Sequence, residues 1–198
     1  MAAARQPSTT DARERLLEAA VASFAARGFH GTTTRDIAAG AGMSPAALYV
    51  HHRSKEELLH QIAREGHLRT LALVEAAVAE GEGPVGQLTR LVEDFVRHHA
   101  LTHTTARVIN YEMAALSPEH LAEIMDLRRR IDAVVRDVID RGVAAGVLAT
   151  ADPAMTATAL LSLGIDVARW YRDDAGWTPE QVAAHYRDLA LRMAGAAG

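Results

Sequence analysis

Apolar residues recur every three or four positions along most of the chain. Leu16, Leu17, Ala20, Val21 and Phe24 form one stripe, and Leu88, Leu91, Val92, Phe95 and Val96 a second. A third runs through Leu121, Ile124, Met125, Ile131, Val135 and Val138. A period near 3.6 puts each set on one face of an amphipathic helix. Val, Ile and Tyr runs alternating at period two, the mark of strands, are absent. Helix starts are punctuated by Ser44-Pro45, Gly83-Pro84, Ser117-Pro118, Asp152-Pro153 and Thr178-Pro179. Proline at a first helical position removes a donor that would be orphaned anyway, and a preceding Ser, Thr or Asp caps the turn. Gln181, three residues after Thr178, completes a capping box. The pattern predicts an all-α protein of about nine helices at 11–27, 34–41, 45–51, 55–80, 84–101, 104–115, 118–145, 153–171 and 179–194. The first three, with the start of the fourth, make a compact head over residues 1–60. Residues 61–198 make a helical bundle, and Gly81-Glu82-Gly83 reads as its loosest loop.

Composition sharpens this. The chain has 198 residues, 49% of them hydrophobic and only 5% aromatic, so the core is aliphatic and alanine-rich. Alanine is the best helix former. There is no cysteine, which excludes disulfides and thiolate metal sites. Met1 to Thr10 holds no apolar run, and the charge-free apolar stretch 153–165 is too short for a membrane span of about 20 residues. A cytoplasmic location with no membrane contact is expected. The net charge of −4 hides an asymmetry, because residues 1–60 balance at +1 and residues 61–198 at −5. An anion-binding surface therefore belongs in the first third.

The stretch from Thr34 to Tyr49 reads T-R-D-I-A-A-G-A-G-M-S-P-A-A-L-Y. It predicts a helix, a tight turn and a second, very short helix. Ala38 is small where the two would cross, Gly42 allows the positive φ of the turn, and Ile37 faces Leu48. The second helix is thinly clothed at Pro45, Ala46 and Ala47, so its backbone can approach base edges. Tyr49 and His51 can reach phosphates. A plain alanine-rich helical corner has the same spacing. Lys55, the chain's only lysine, stands in the first turn of the next helix, where its charge opposes the helix dipole. It serves either as a phosphate contact beside the Ser54 cap or as a solvated cation paired with Glu56 or Glu57.

Thr32-Thr-Thr-Arg-Asp-Ile-Ala, Ala41-Gly-Met-Ser and Leu48-Tyr-Val-His-His-Arg-Ser-Lys-Glu-Glu-Leu-Leu together resemble the N-terminal signature of TetR-type transcriptional regulators. The resemblance implies a homodimeric repressor on double-stranded operator DNA. It assigns Thr34 and Arg35 to the backbone and groove edge, and Ser44, Pro45, Ala46 and Ala47 to the base-reading end. Tyr49, His51 and Lys55 would hold phosphates. Val50 stands where an aromatic is frequent, and His52 replaces an inward-packing Phe. The dimer is expected through the helices at 153–171 and 179–194, with Met155, Leu160, Leu161, Gly164 and Val167 on one and Val182, Tyr186, Leu189 and Met193 on the other.

In the bundle, Glu112 and Arg128 interrupt apolar stripes. Buried charges are costly unless paired, so the two either bridge each other or meet a ligand. Asn110-Tyr-Glu-Met-Ala-Ala-Leu-Ser-Pro-Glu-His-Leu, Leu127-Arg-Arg-Arg and Arg169-Trp-Tyr resemble the C-terminal domain of regulators that sense fatty-acyl or steroid-derived acyl-CoA thioesters. That implies an acyl-CoA-like small-molecule effector. Phe95, Val108, Met113, Ile124, Met125 and Trp170 would line its cavity, with Arg128, Arg129 or Arg107 at the mouth. His98, His99, Asn110, Tyr111 and Glu112 would add polar contacts. A neutral drug or metabolite fits the same bundle, with Arg128 merely paired to Glu112. His99 and His103, at i and i+4, raise a metal sensor. The position after His99 is Ala100, however, where a zinc peptidase of the His-Glu-x-x-His kind has glutamate, and no third ligand follows from spacing. No motif implies a cofactor, and neither a phosphate-binding glycine loop nor a Gly-x-Ser-x-Gly elbow occurs, so no enzyme is expected.

Overall fold

The computed structural model describes residues 9–174 and 176–196. Nine α-helices run through them: α1 Thr9–Arg27, α2 Thr34–Gly40, α3 Pro45–His51, α4 Lys55–Glu80, α5 Gly83–Leu101, α6 His103–Tyr111, α7 Pro118–Ala144, α8 Pro153–Trp170 and α9 Pro179–Met193. The described residues contain no strand. Each proline expected at a helix start lies in the first turn of its helix, and Ser44, Ser117, Asp152 and Thr178 accept a backbone N–H three residues on. The Thr178–Gln181 capping box forms as expected. A second box, Thr33 with Asp36, starts α2.

The head is built on α1. Leu16, Ala20 and Phe24 are buried against Ile37, Ala38 and Leu48 of the next two helices. Each large side chain so buried contributes about 2 kcal/mol. Gly42 turns the chain at φ +67°, and the Met43 N–H returns to the Ala38 carbonyl at 2.8 Å. A Cβ at that φ would be strained, so glycine sets the crossing of α2 and α3.

In the bundle α5 is central, packed against α9, α4, α8 and α7. The sixth helix ends earlier than its periodicity predicts. The Glu112 N–H makes the last bond to a carbonyl four residues back, and the amides of Ala115 and Leu116 reach back only three. Residues Met113–Ala115 therefore form a tight 3₁₀ turn. Proline at 118 forces Ser117 into an extended conformation, which a continuing helix could not supply. The 26-residue α4 leaves the head and runs on into the bundle, against α5, α6 and α7. No helix among the described residues is long and apolar enough to cross a membrane.

Candidate DNA-reading head and effector cavity

Ser44, Pro45 and Ala46 lie exposed at the start of α3, with Ala47 half-buried behind them. Arg35 is exposed on α2, and neither it nor His51 makes a hydrogen bond or ion pair among the described residues. Tyr49, 55% exposed, places its hydroxyl 3.2 Å from Oγ1 of half-buried Thr34. The pair ties the outer edge of α3 to the start of α2. Val50, 79% exposed, continues that face. Of the expected contact residues, Thr34 and Tyr49 are thus brought together across α2 and α3.

Lys55 departs from the expectation of a phosphate grip. Its Nζ donates to the carbonyls of Phe29 and Thr32, both at 2.8 Å, and sits 4.3 Å above the Phe29 ring. Two of its three donors are thereby committed to the loop between α1 and α2. The cation at the start of α4 caps that loop, which is why its placement against the helix dipole is tolerated. His52 does pack inward, only 2% exposed, and its Nε2 has no partner. Burial, reinforced by the charge of Arg13, pushes its pKa below the usual histidine value.

Behind the head, α4 and α7 meet through stacked imidazoles. The rings of His60 and His120 lie 3.7 Å apart and parallel within 2°. Glu123 accepts from His60 at 2.8 Å and from Arg64 at 2.7 Å, and Glu56 pairs with His120 at 2.8 Å. Burial works to raise the pKa of Glu56, but donors from the Ser117 N–H and His120 outweigh it and hold the carboxyl low.

The bundle encloses a cavity of about 310 Å³ between α4, α5, α6, α7 and α8. That is near the lower end for small-molecule sites. Of the residues expected there, Phe95, His98, His99, Asn110 and Arg128 line it. Arg129 is also on its wall. Arg128 donates to Asn110 Oδ1 at 2.9 Å and has no carboxylate partner among the described residues. Burial lowers its pKa.

The rest of the expected lining falls elsewhere. Glu112 does not bridge Arg128. It follows the end of α6, and its Oε1 is the nearest atom to the open side of Gly28, 3.4 Å from where a Cβ would stand. Tyr111 is turned outward and donates to Asp166 at 3.2 Å. Met125 is exposed, and Trp170 packs on Tyr186. Arg107 is not on the wall, and Val108 and Ile124 are buried in the core. His99 closes α5 while His103 opens α6, so the two are not successive turns of one helix; their Nδ1 atoms face different backbone carbonyls, Phe95 and Ala100.

Sequence reasoning missed α4 as a cavity wall. Gly66, His67, Arg69 and Thr70 line the cavity. The available signal was polar His67 and Thr70 on the same face as Leu59, Ile62, Ala63, Leu71 and Val74, all of them buried. Burial pushes the pKa of His67 to about 4, and that of His99 likewise to about 4, outweighing the hydrogen bond each ring makes to its own helix. Both rings are neutral at pH 7.

A helix-turn-helix head on a hollow helical bundle is the build of a DNA-binding regulator. Comparison with known proteins makes this specific. Residues 16–62 match the model of bacterial regulatory proteins of the tetR family, and residues 81–194 that of the tetracyclin repressor-like C-terminal domain. The chain belongs to the TetR family of transcriptional regulators, whose members are not enzymes. It is similar to the HTH-type transcriptional repressor KstR2 of Mycobacterium tuberculosis, 32% identical over 187 residues that cover 90% of each chain. A crystal structure of a tetR-family regulatory protein from Rhodococcus RHA1 superposes with a TM-score of 0.91 at 43% identity, covering 96% of this chain and 100% of that one. AibR, solved with isovaleryl coenzyme A and operator DNA, shares the fold at a TM-score of 0.83 and 24% identity, over 94% of this chain and 100% of that one.

Proposed function

We propose that the protein is a homodimeric repressor that leaves its operator when an acyl-CoA-like effector enters the bundle. The observation that carries this reading is the cavity of about 310 Å³, one wall of which is the helix that starts in the head. A ligand that fits only one setting of α4 shifts the head by as much as its affinities for the two settings differ. The functional division falls within α4, with residues 1–60 reading DNA and residues 61–198 sensing and dimerising. Thr34, Arg35, Ser44, Pro45, Ala46, Ala47, Tyr49 and His51 form the DNA face. The half-buried guanidinium of Arg128, bonded to Asn110 but to no carboxylate among the described residues, supports an effector carrying an oxygen-rich head group, since a cation withdrawn from water is costly until it gains such a partner. The KstR2 relatives are named repressors, and the fold shared with AibR accommodates isovaleryl coenzyme A and operator DNA. Exposed Met155 and Leu163 on α8 and Met193 on α9 supply apolar surface for a two-fold contact. Such a pair sets two reading helices about 34–36 Å apart, one turn of DNA.

The test is release of labelled operator DNA by acyl-CoAs, the matching free acids and free CoA, with wild type and Arg128→Ala. Release by the thioester and loss of response in the variant are expected. Equal release by acid and thioester, unchanged in Arg128→Ala, would rule out the CoA reading.

A further inference from the structure

Two imidazoles on the cavity wall, His67 and His99, spend one ring nitrogen each on their own helix. Nδ1 of His67 lies 2.8 Å from the Ala63 carbonyl, and Nδ1 of His99 lies 2.8 Å from that of Phe95. A carbonyl can only accept, so each ring carries its proton on Nδ1 and a lone pair on Nε2. The two side chains are 5% and 4% exposed, yet neither Nε2 is sealed off in the protein the way His52 Nε2 is. The cavity is the space those atoms meet. Thr70 and Thr102 are also on this wall, and their hydroxyls donate to the Gly66 and His98 carbonyls, so each can serve a ligand only as an acceptor. Arg69, Arg128 and Arg129 are the cations on the wall and Asp132 its carboxylate, and of the three cations it is Arg128 whose field reaches both imidazoles. The other hydroxyls on the wall can rotate to serve either role.

A plain acyl chain ending in a carbonyl or carboxylate would satisfy Arg128 and leave both imidazole lone pairs buried against hydrocarbon. Leaving a buried acceptor unmet is costly. We propose that the effector carries an O–H donor close to its carbonyl oxygen, so that His67 or His99 accepts from the hydroxyl while Arg128 donates to the carbonyl. The ligand class is a hydroxylated acyl compound, of which a 3-hydroxyacyl derivative is the simplest. This rests on the cavity being the effector site. It does not require the thioester, nor any response at the operator.

Direct calorimetry on the full-length protein at pH 7.5 tests it. The probes are a medium-chain 3-hydroxy acid, its 3-fluoro counterpart of nearly the same shape but without a donor, and the unsubstituted acid, each also as its CoA thioester. The hydroxyl compound should bind about tenfold more tightly than the fluoro compound, the yield of one well-made hydrogen bond. His67→Phe or His99→Phe should bring the two within about twofold, and the same site changed to Gln, which keeps an acceptor, should restore part of the preference. Equal wild-type affinities, a preference that survives both Phe variants, or no binding by either compound would each overturn the proposal. Preference shown equally by acids and thioesters would sink the CoA reading alone and leave this one standing.

Discussion

Lowering the pH should unfold this protein from inside its cavity, and the size of the effect follows from two side chains. His67 and His99 titrate near 4 in the folded chain, against 6.5 for an unburied histidine, because both are held out of water. A depressed histidine pKa means that the unfolded chain binds protons the folded chain refuses. Stability is therefore unaffected above about pH 7, falls as pH drops through 6.5, and stops falling on this account near pH 4. A shift of about 2.5 units at about 1.4 kcal/mol per unit gives roughly 3 kcal/mol per histidine, of which about 2 kcal/mol is already lost at pH 5. That is a large share of the 5–15 kcal/mol typical of a folded domain. Urea unfolding followed by circular dichroism, at one fixed protein concentration and at pH 7.5, 6.5, 5.5 and 5.0, measures it. His99→Phe changes the neutral-pH stability through the lost bond to Phe95, but its loss between pH 7.5 and 5.0 should be smaller than wild type by about 2 kcal/mol. Carboxylates contribute the same acid loss to both proteins and cancel in the difference. Parallel pH curves for the two would refute the assignment of buried neutral imidazoles.

Lys55→Met removes the ammonium from the Phe29 and Thr32 carbonyls and should cost about 1–3 kcal/mol in thermal unfolding. The slope of operator affinity against salt should stay unchanged, whereas loss of about one unit of that slope would restore the phosphate role. Gly164→Ala would place a Cβ 2.7 Å from Cδ1 and Cε1 of Phe95, driving the ring toward the cavity it lines. Affinity for the 3-hydroxy acid should fall at least about fivefold while operator binding holds, given an overpacking cost of about 1–3 kcal/mol; unchanged ligand affinity would show that the ring yields in another direction.

The fold was legible because its cues are local. Caps, first-turn prolines and one-face stripes each lie within a few residues, and the Gly42 turn needs only its own φ. What failed depended on partners far along the chain. Lys55 meets carbonyls 23 and 26 residues earlier, a relation that helix spacing cannot express. Arg128 lines the cavity, but its partner is Asn110 instead of Glu112, because α6 ends at Tyr111 and the residue after it turns toward Gly28. The cavity draws its wall from five helices, so no single stripe outlines it. Its plainest trace, His67 and Thr70 on the buried face of α4, also fits polar residues that simply bond to their own backbone, as both of these do.

The continuity of α4 has a mechanical consequence. At 1.5 Å per residue its 26 residues make a rod about 39 Å long, and His67 stands about 18 Å from the Lys55 tip. If the rod tilts about the level of His67, then by the same helical rise a swing of about 5° carries the tip roughly 1.6 Å. Lys55 lashes the α1–α2 loop to that tip, so the reading helix travels with it instead of being left behind. In a two-fold pair the displacements add, giving roughly 3 Å of misfit against a groove repeat of about 34 Å. On the proposed function, a ligand a few ångströms across would thus put both heads out of step with the double helix without unfolding a single turn.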